Sequence, residues 1–174
     1  IMTGNEKMQT YFSYANTTAK GIIDSNKLQK HNLTLRETAN FFNERLKLDG
    51  NANLMTQTIK NSPSSGGYYL NPLVNVYGFP RGMDMAPYRD NFETYDTDRN
   101  MNLQNWYVTN EDGTISEWDQ NPYWIKNRVT NNNKRYRAMA ALTASVEATE
   151  WLTIQARGNV DYVSDKFENK MYAS

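Results

Sequence analysis

The sequence predicts an all-β fold: an arc of long antiparallel strands of the transmembrane β-barrel kind, interrupted by one large loop. Three observations predict it. Alternation of apolar and polar residues persists over runs of about ten residues or more, the period-two signature of a strand. Two connections are tight, while those at the opposite strand ends are long and polar. Between the alternating blocks lies a stretch of about seventy residues with no alternation, far beyond an ordinary connection. Soluble strands usually run about five or six residues. A tilted strand crossing a bilayer needs roughly 9–11.

The first expected strand covers Glu6 to Ala15. Met8, Thr10, Phe12 and Tyr14 share one face, and Gln9, Tyr11 and Ser13 the other. A polar connection with the turn residues Gly21, Asp24, Ser25 and Asn26 follows. The second strand, His31 to Phe42, sets Leu33, Leu35, Ala39 and Phe41 against Asn32, Thr34, Arg36, Thr38 and Asn40. Glu37 falls on the apolar row by parity, which a bulge or a locally different exposure would explain. Asn43 and Glu44 then form a hairpin turn. The third strand, Arg45 to Lys60, carries Leu46, Leu48, Ala52 and Leu54 on one face, with Gly50 between them. Lys47, Asp49, Asn51, Asn53 and Gln57 point the other way.

After Lys60 the pattern breaks. SPSSGG opens the excursion, Pro72, Pro80, Pro87 and Pro122 recur in it, and Asn110 to Gly113 marks a turn. Periodicity places no helix or strand inside. Alternation returns at Arg135. Tyr136, Ala138, Ala140, Leu142, Ala144 and Val146 line one face, and Arg137, Thr143, Ser145 and Glu147 the other. A turn over Ala148 to Glu150 leads into the row Leu152, Ile154, Ala156, Gly158, Val160 and Tyr162, backed by Thr153, Gln155, Arg157, Asn159 and Asp161. The expected layout is three strands over 1–60, a large external loop over 61–134, and over 135–174 a hairpin with the start of another loop. Phe41, Phe42 and Trp151 beside the short turns suit an interfacial aromatic girdle. Both ends read as cut, so the chain is expected to be part of a longer protein.

Composition narrows function. Net charge is zero and the pI is about 6.8, which disfavours nucleic acid as a partner. Mean hydropathy is −0.83 without a long apolar run, which excludes a transmembrane helix and leaves a barrel open. There is no cysteine, so neither disulfides nor thiolate metal sites arise. The same alternation also suits a soluble β-sandwich carbohydrate-binding module, whose apolar face packs on a second sheet. Strand length and nearly charge-free apolar rows favour the barrel.

Chemistry-bearing motifs are weak. Asp96, Asp98 and Asn100 match the start of a calcium loop, but Met101 and Tyr107 stand where glycine and the bidentate glutamate belong. An acidic loop is the simpler reading. His31 lacks a catalytic partner. Glu111, Asp112, Glu117 and Asp119 read as solvated charge, and Lys126, Arg128, Lys134 and Arg135 as a solvated cluster where the loop rejoins the wall. No catalytic residue, metal or cofactor is expected, and the chain is read as not an enzyme. The loop aromatics Trp106, Tyr107, Trp118, Tyr123 and Trp124, with Tyr68, Tyr69 and Tyr77, are candidates to contact a substrate or partner, or to pack the loop on itself. Asn51, Asn53, Gln57, Arg157, Asn159 and Asp161 are the candidate lumen-facing residues.

HNLTLRETANFFNERLKLDGNANLMTQTIKN and RYRAMAALTASVEATEWLTIQARGNVDYVSDKFENKMY resemble barrel strands of the SusC/RagA family. FPRGMDMAPY at Phe79 to Tyr88 and NPYW at Asn121 to Trp124 resemble its loop segments. These are TonB-dependent outer-membrane transporters of Bacteroidota. The resemblance implies a barrel of about 22 strands around a plug, placed in the outer membrane of a Gram-negative bacterium. It also implies import of oligosaccharide or oligopeptide, a SusD-like surface lipoprotein and the TonB complex as partners, and contact with the lipid bilayer. Of that barrel the chain would represent about five strands and one loop; no plug or TonB-binding segment is found in it.

Overall fold

The computed structural model describes residues 1–108 and 118–173; the expected turn at Asn110 to Gly113 and the carboxylates Glu111, Asp112 and Glu117 lie outside them. The fold is all-β. In chain order come β1 (Met2–Gly4), β2 (Met8–Lys20), β3 (Lys27–Phe41), β4 (Leu46–Lys60), α1 (Pro72–Gly78), α2 (Ala86–Asp90), β5 (Glu93–Asp96), β6 (Met101–Gln104), α3 (Pro122–Arg128), β7 (Val129–Thr149) and β8 (Leu152–Met171). Six strands form one open sheet in the order β1-β2-β3-β4-β7-β8, and β5 pairs with β6 in a separate hairpin. The chain divides into two compact units, one of residues 1–19, 28–58 and 133–166, the other of 20–27, 59–132 and 167–174.

The first unit is sheet throughout, and its two faces differ as the alternation requires. On one face Arg36 donates to Asp49 at 2.6 and 3.1 Å, joined by the Thr38 hydroxyl at 3.2 Å. The Asn53 amide donates to Thr34 at 2.8 Å, and Gln155 to Ser145 at 3.1 Å. Arg137 forks onto Asp161, and Arg135 onto Asp165. The other face carries the leucine and alanine rows. A Cβ added at Gly50 would meet the Leu142 side chain at 3.7 Å, so these two belong to neighbouring rows of that face. Nothing in the unit covers them: Leu54 is 51% exposed, and Leu142 and Ile154 are each 56% exposed.

Glu37 remains on the apolar row. Its carboxylate accepts from Thr10 of β2 at 2.6 Å, which partly satisfies it there. His31, on the same row, is bonded to the Tyr14 hydroxyl at 2.7 Å and stacks on its ring. Structural ties of this kind match the expectation for a lone histidine. Tyr14, Tyr136 and Tyr162 fall at one end of the apolar rows, and Phe41, Phe42 and Trp151 at the other. The rows of β7 and β8 between those ends span about eleven residues. At roughly 3.3 Å per residue and a tilt near 45°, that is a band of about 25 Å.

The turn between β3 and β4 holds Phe42, Asn43 and Glu44 at φ of 53°, 55° and 71°, three left-handed residues in succession and none of them glycine. Arg45 N–H closes it onto the Phe42 carbonyl at 3.3 Å. The β7–β8 turn comprises only Glu150 and Trp151, so Ala148 and Thr149, expected in the turn, belong to β7.

Several boundaries expected from alternation are corrected. β2 continues past Ala15 to Lys20, and β3 starts at Lys27, before His31. β7 starts at Val129, so the excursion closes at Arg128 and not at Lys134. β8 runs to Met171, where a new loop was expected. The missed stretches, NTTAK, KLQK, VTNNNK and SDKFENK, are mostly polar, with Leu28, Val129 and Phe167 isolated rather than part of an apolar row. Backbone pairing continues there without an apolar row to reveal it, as where Asn61 N–H donates to the Asn131 carbonyl at 2.7 Å.

The second unit holds three short helices and the β5–β6 hairpin, short elements that periodicity left open and did not place. Pro72, Pro87 and Pro122 sit in the first turns of α1, α2 and α3, where a missing N–H loses no helical bond. Asn71 and Asn121 cap α1 and α3 through their side-chain oxygens. Gly21 makes room for Asn26: a Cβ at residue 21 would lie 2.0 Å from Asn26 Oδ1. The Asn26 amide in turn donates to the carbonyls of Lys60 and Asn61 at 3.2 and 3.0 Å. Among the described residues no helix is long and apolar enough to cross a membrane.

Candidate functional site

The loop aromatics divide into two sets. Trp106, Trp124 and Ile125 are the only buried hydrophobic residues among those described. Trp106 packs with Phe79, Tyr88 and Tyr107 at centroid distances of 4.9 to 5.4 Å. Trp106 and Trp124, expected as candidate contacts for a substrate, are therefore the core of the second unit, and their faces are not open to a ligand. The other candidates are more accessible. Tyr107 and Tyr123 are half-buried, and Trp118 is 73% exposed. Trp118 sits edge-on to Tyr69 at 6.1 Å, and Tyr69 adjoins exposed Tyr68 at 4.6 Å. These three rings form an accessible aromatic series whose planes are tilted 55° and 75° to one another, so each offers its own face or edge to a ligand.

Asn121 holds this core together. It is fully buried, and its hydrogen-bonding groups are engaged. Its Nδ2 donates to the carbonyls of Tyr88 at 2.8 Å and Asn105 at 2.7 Å. Its N–H donates to Gln104 Oε1 at 2.9 Å, and its Oδ1 accepts from Tyr123 N–H at 2.8 Å. FPRGMDMAPY and NPYW thus meet through Tyr88 and Asn121, and Tyr123 Oη reaches Met85 Sδ at 4.0 Å. A buried side-chain amide with every group paired fixes one arrangement of the segments it joins.

The basic residues near the end of the excursion are not one solvated cluster. Arg128 forks onto Glu93 with both groups half-buried, and its guanidinium lies 5.0 Å from the Tyr172 ring centroid and 5.8 Å from that of Phe92. Lys126 pairs with Asp24 at 2.8 Å, and that ammonium holds the Asp24 carboxyl below its usual range. Arg135 belongs to Asp165. Pairing across elements, invisible to linear spacing, accounts for the difference.

The calcium-like stretch closes the β5–β6 hairpin. Asp96 Oδ1 accepts from Asp98 N–H at 2.9 Å and Arg99 N–H at 3.0 Å, an Asx turn. Asn100 adopts φ of 52° and accepts from the Tyr95 hydroxyl. Among the described residues no group of three or more His, Cys, Asp or Glu is placed to hold a metal.

Tyr107 carries a pH prediction. Burial, with the Asp119 charge adding to it, raises its phenol above the usual tyrosine range. A raised native pKa means the folded state holds the proton more tightly than the unfolded one. The resulting stability is complete below about pH 10 and is lost as pH rises through the native value. Absorbance at the tyrosinate band should show a late-titrating component that Tyr107→Phe removes, with alkaline loosening of the second unit following it.

The candidate lumen residues are brought together in the first unit. Asn51, Asn53, Arg157, Asn159 and Asp161 line one open groove of about 500 Å³. Gln57 continues their row on β4 by parity. Sequence reading put Arg36 and Arg137 on the polar face but did not pair them with Asp49 and Asp161, took Arg135 as solvated, and did not name its partner Asp165. The available signal was an arginine and an aspartate of matching parity on neighbouring strands.

Taken as a class, this is an open antiparallel sheet with one apolar and one charged face, joined in sequence to an ordered aromatic loop unit. No protein-family model matches the chain, and no curated protein matches it.

Proposed function

We propose that this chain is a wall segment of an outer-membrane β-barrel transporter of the SusC/RagA type, taking up oligosaccharide or oligopeptide nutrients. One observation carries the reading: the apolar rows of β3, β4, β7 and β8 have no covering layer within the first unit, while the reverse face is built of ion pairs and amides. In water such a face would be an aggregation hazard. Against hydrocarbon it is the expected surface, with the polar face turned to the lumen. The sandwich alternative needs a second sheet over Leu46, Leu48 and Leu54. The remaining sheet, β5–β6, belongs to the second unit.

Further support comes from strand length, with β2, β3, β4, β7 and β8 spanning 13 to 21 residues. The aromatic residues at both ends of the apolar rows suit two interfacial girdles. β8 lies at the edge of the sheet and is exposed at nearly every position, a liability that barrel closure removes. On this proposal the Tyr68–Tyr69–Trp118 series contacts substrate or a SusD-like lipoprotein, and uptake is driven through TonB without covalent chemistry.

The full-length protein should fractionate with outer membranes, need detergent for extraction and insert into lipid vesicles. A full-length protein that stays soluble and monomeric without detergent overturns the proposal.

A further inference from the structure

The polar face of β4, β7 and β8 contains a second open groove, of about 460 Å³, lying entirely in the first unit. Its floor is made of small side chains from β7, namely Ala141, Thr143 and Ser145, while β4 and β8 supply longer walls. Paired strands lie about 4.8 Å apart, so residues of β4 and β8 face each other at roughly 10 Å across that low central row.

The charges lining it do not cancel. Asp49 is taken by Arg36 at 2.6 Å. Lys47 and Arg157 line the groove from opposite walls, are exposed, and make no ion pair among the described residues. Elsewhere on this face the arginines are matched, Arg137 with Asp161 and Arg135 with Asp165. Asn51, Thr143, Ser145 and Gln155 add hydroxyl and amide donors. Arg157 and Asn51 also line the neighbouring 500 Å³ groove, so the two form one track that passes the Arg157 guanidinium.

We propose that this groove binds carboxylate groups of an extended ligand, with Lys47 and Arg157 as the recognising cations. A guanidinium presents a planar fork that fits a carboxylate, and an ammonium adds a compact positive charge. The polar donors between them suit hydroxyls or amides linking two acidic units. The inference rests on the transporter reading only in making such a ligand the cargo. The shared chemistry is the carboxylate, whether carried by uronate sugars or by acidic peptide.

The test uses the full-length protein in detergent, titrated calorimetrically with tetragalacturonate and tetraglutamate and with their neutral counterparts galactotetraose and tetraglutamine. At least one acidic probe should bind, and its neutral counterpart should bind at least about tenfold more weakly. Arg157→Gln and Lys47→Gln should each weaken the acidic probe about tenfold, while Lys30→Gln, a cation removed outside the groove, leaves it unchanged. Affinity should also fall as salt is raised from about 50 to about 500 mM. Which acidic probe binds identifies the source of the carboxylate. Equal binding of acidic and neutral probes, no binding of either acid, or salt-independent affinity in the unsubstituted protein overturns the inference. Those outcomes in a protein that still inserts into vesicles leave the barrel reading standing; failure to insert removes that reading separately.

Discussion

Replacing Asn121 by Ala should unfold the aromatic core of the second unit, at about 3–5 kcal/mol. The substitution removes the donors to the Tyr88 and Asn105 carbonyls and the acceptor for Tyr123 N–H. Each buried backbone group left unpaired costs roughly 1–3 kcal/mol. Asn121→Asp should be as damaging, since it keeps the Tyr123 bond but turns a carboxylate toward two carbonyl oxygens in a buried position. Two readouts apply. Emission from Trp106 and Trp124, both buried, should shift to the red, and proteolysis should open within residues 59–132. Trp118→Ala, which removes an exposed ring, should cause neither the red shift nor the new cleavage. If Asn121→Ala resists protease as the parent does, Asn121 is not what holds these segments together.

A single arginine on the apolar face should do comparable harm to insertion, and its neighbour in sequence should not. Leu142 lies in the middle of the exposed apolar row of β7, and Thr143 lines the groove on the reverse face. If the row meets lipid, Leu142→Arg should weaken folding into vesicles by about 2–4 kcal/mol, the range for a cation near the bilayer midplane. Thr143→Arg keeps strand propensity and places its charge on the polar side, so insertion should proceed nearly as before. The comparison is read from the protease-resistant fraction in vesicles. Equal tolerance of both arginines would mean that the Leu142 face meets water, and the barrel proposal would fall.

How much of this was legible follows from where the signal lies. Alternation marked all five long strands and sorted Leu46, Leu142 and Ile154 from Asn51, Arg157 and Asp161 correctly, because successive side chains of any strand leave opposite faces. It failed at strand ends such as VTNNNK, where no apolar row follows Val129 and only backbone pairing continues. The interior of the excursion was not legible either. Pro72, Pro87 and Pro122 read as loop punctuation, yet each opens a short helix. Trp106 and Trp124 could be read as binding rings or as loop packing, because composition does not record burial.

What the sequence determined by itself is local: strand identity, face assignment and the tight turns, all set within a few residues by backbone geometry. Only tertiary structure decided which polar groups meet. Asn121 finds Tyr88 across 33 residues and Arg128 finds Glu93 across 35. Asp49 is bonded by Arg36, while Lys47 and Arg157 make no ion pair among the described residues. Such pairings depend on chain closure over long separations, which no short-range period encodes.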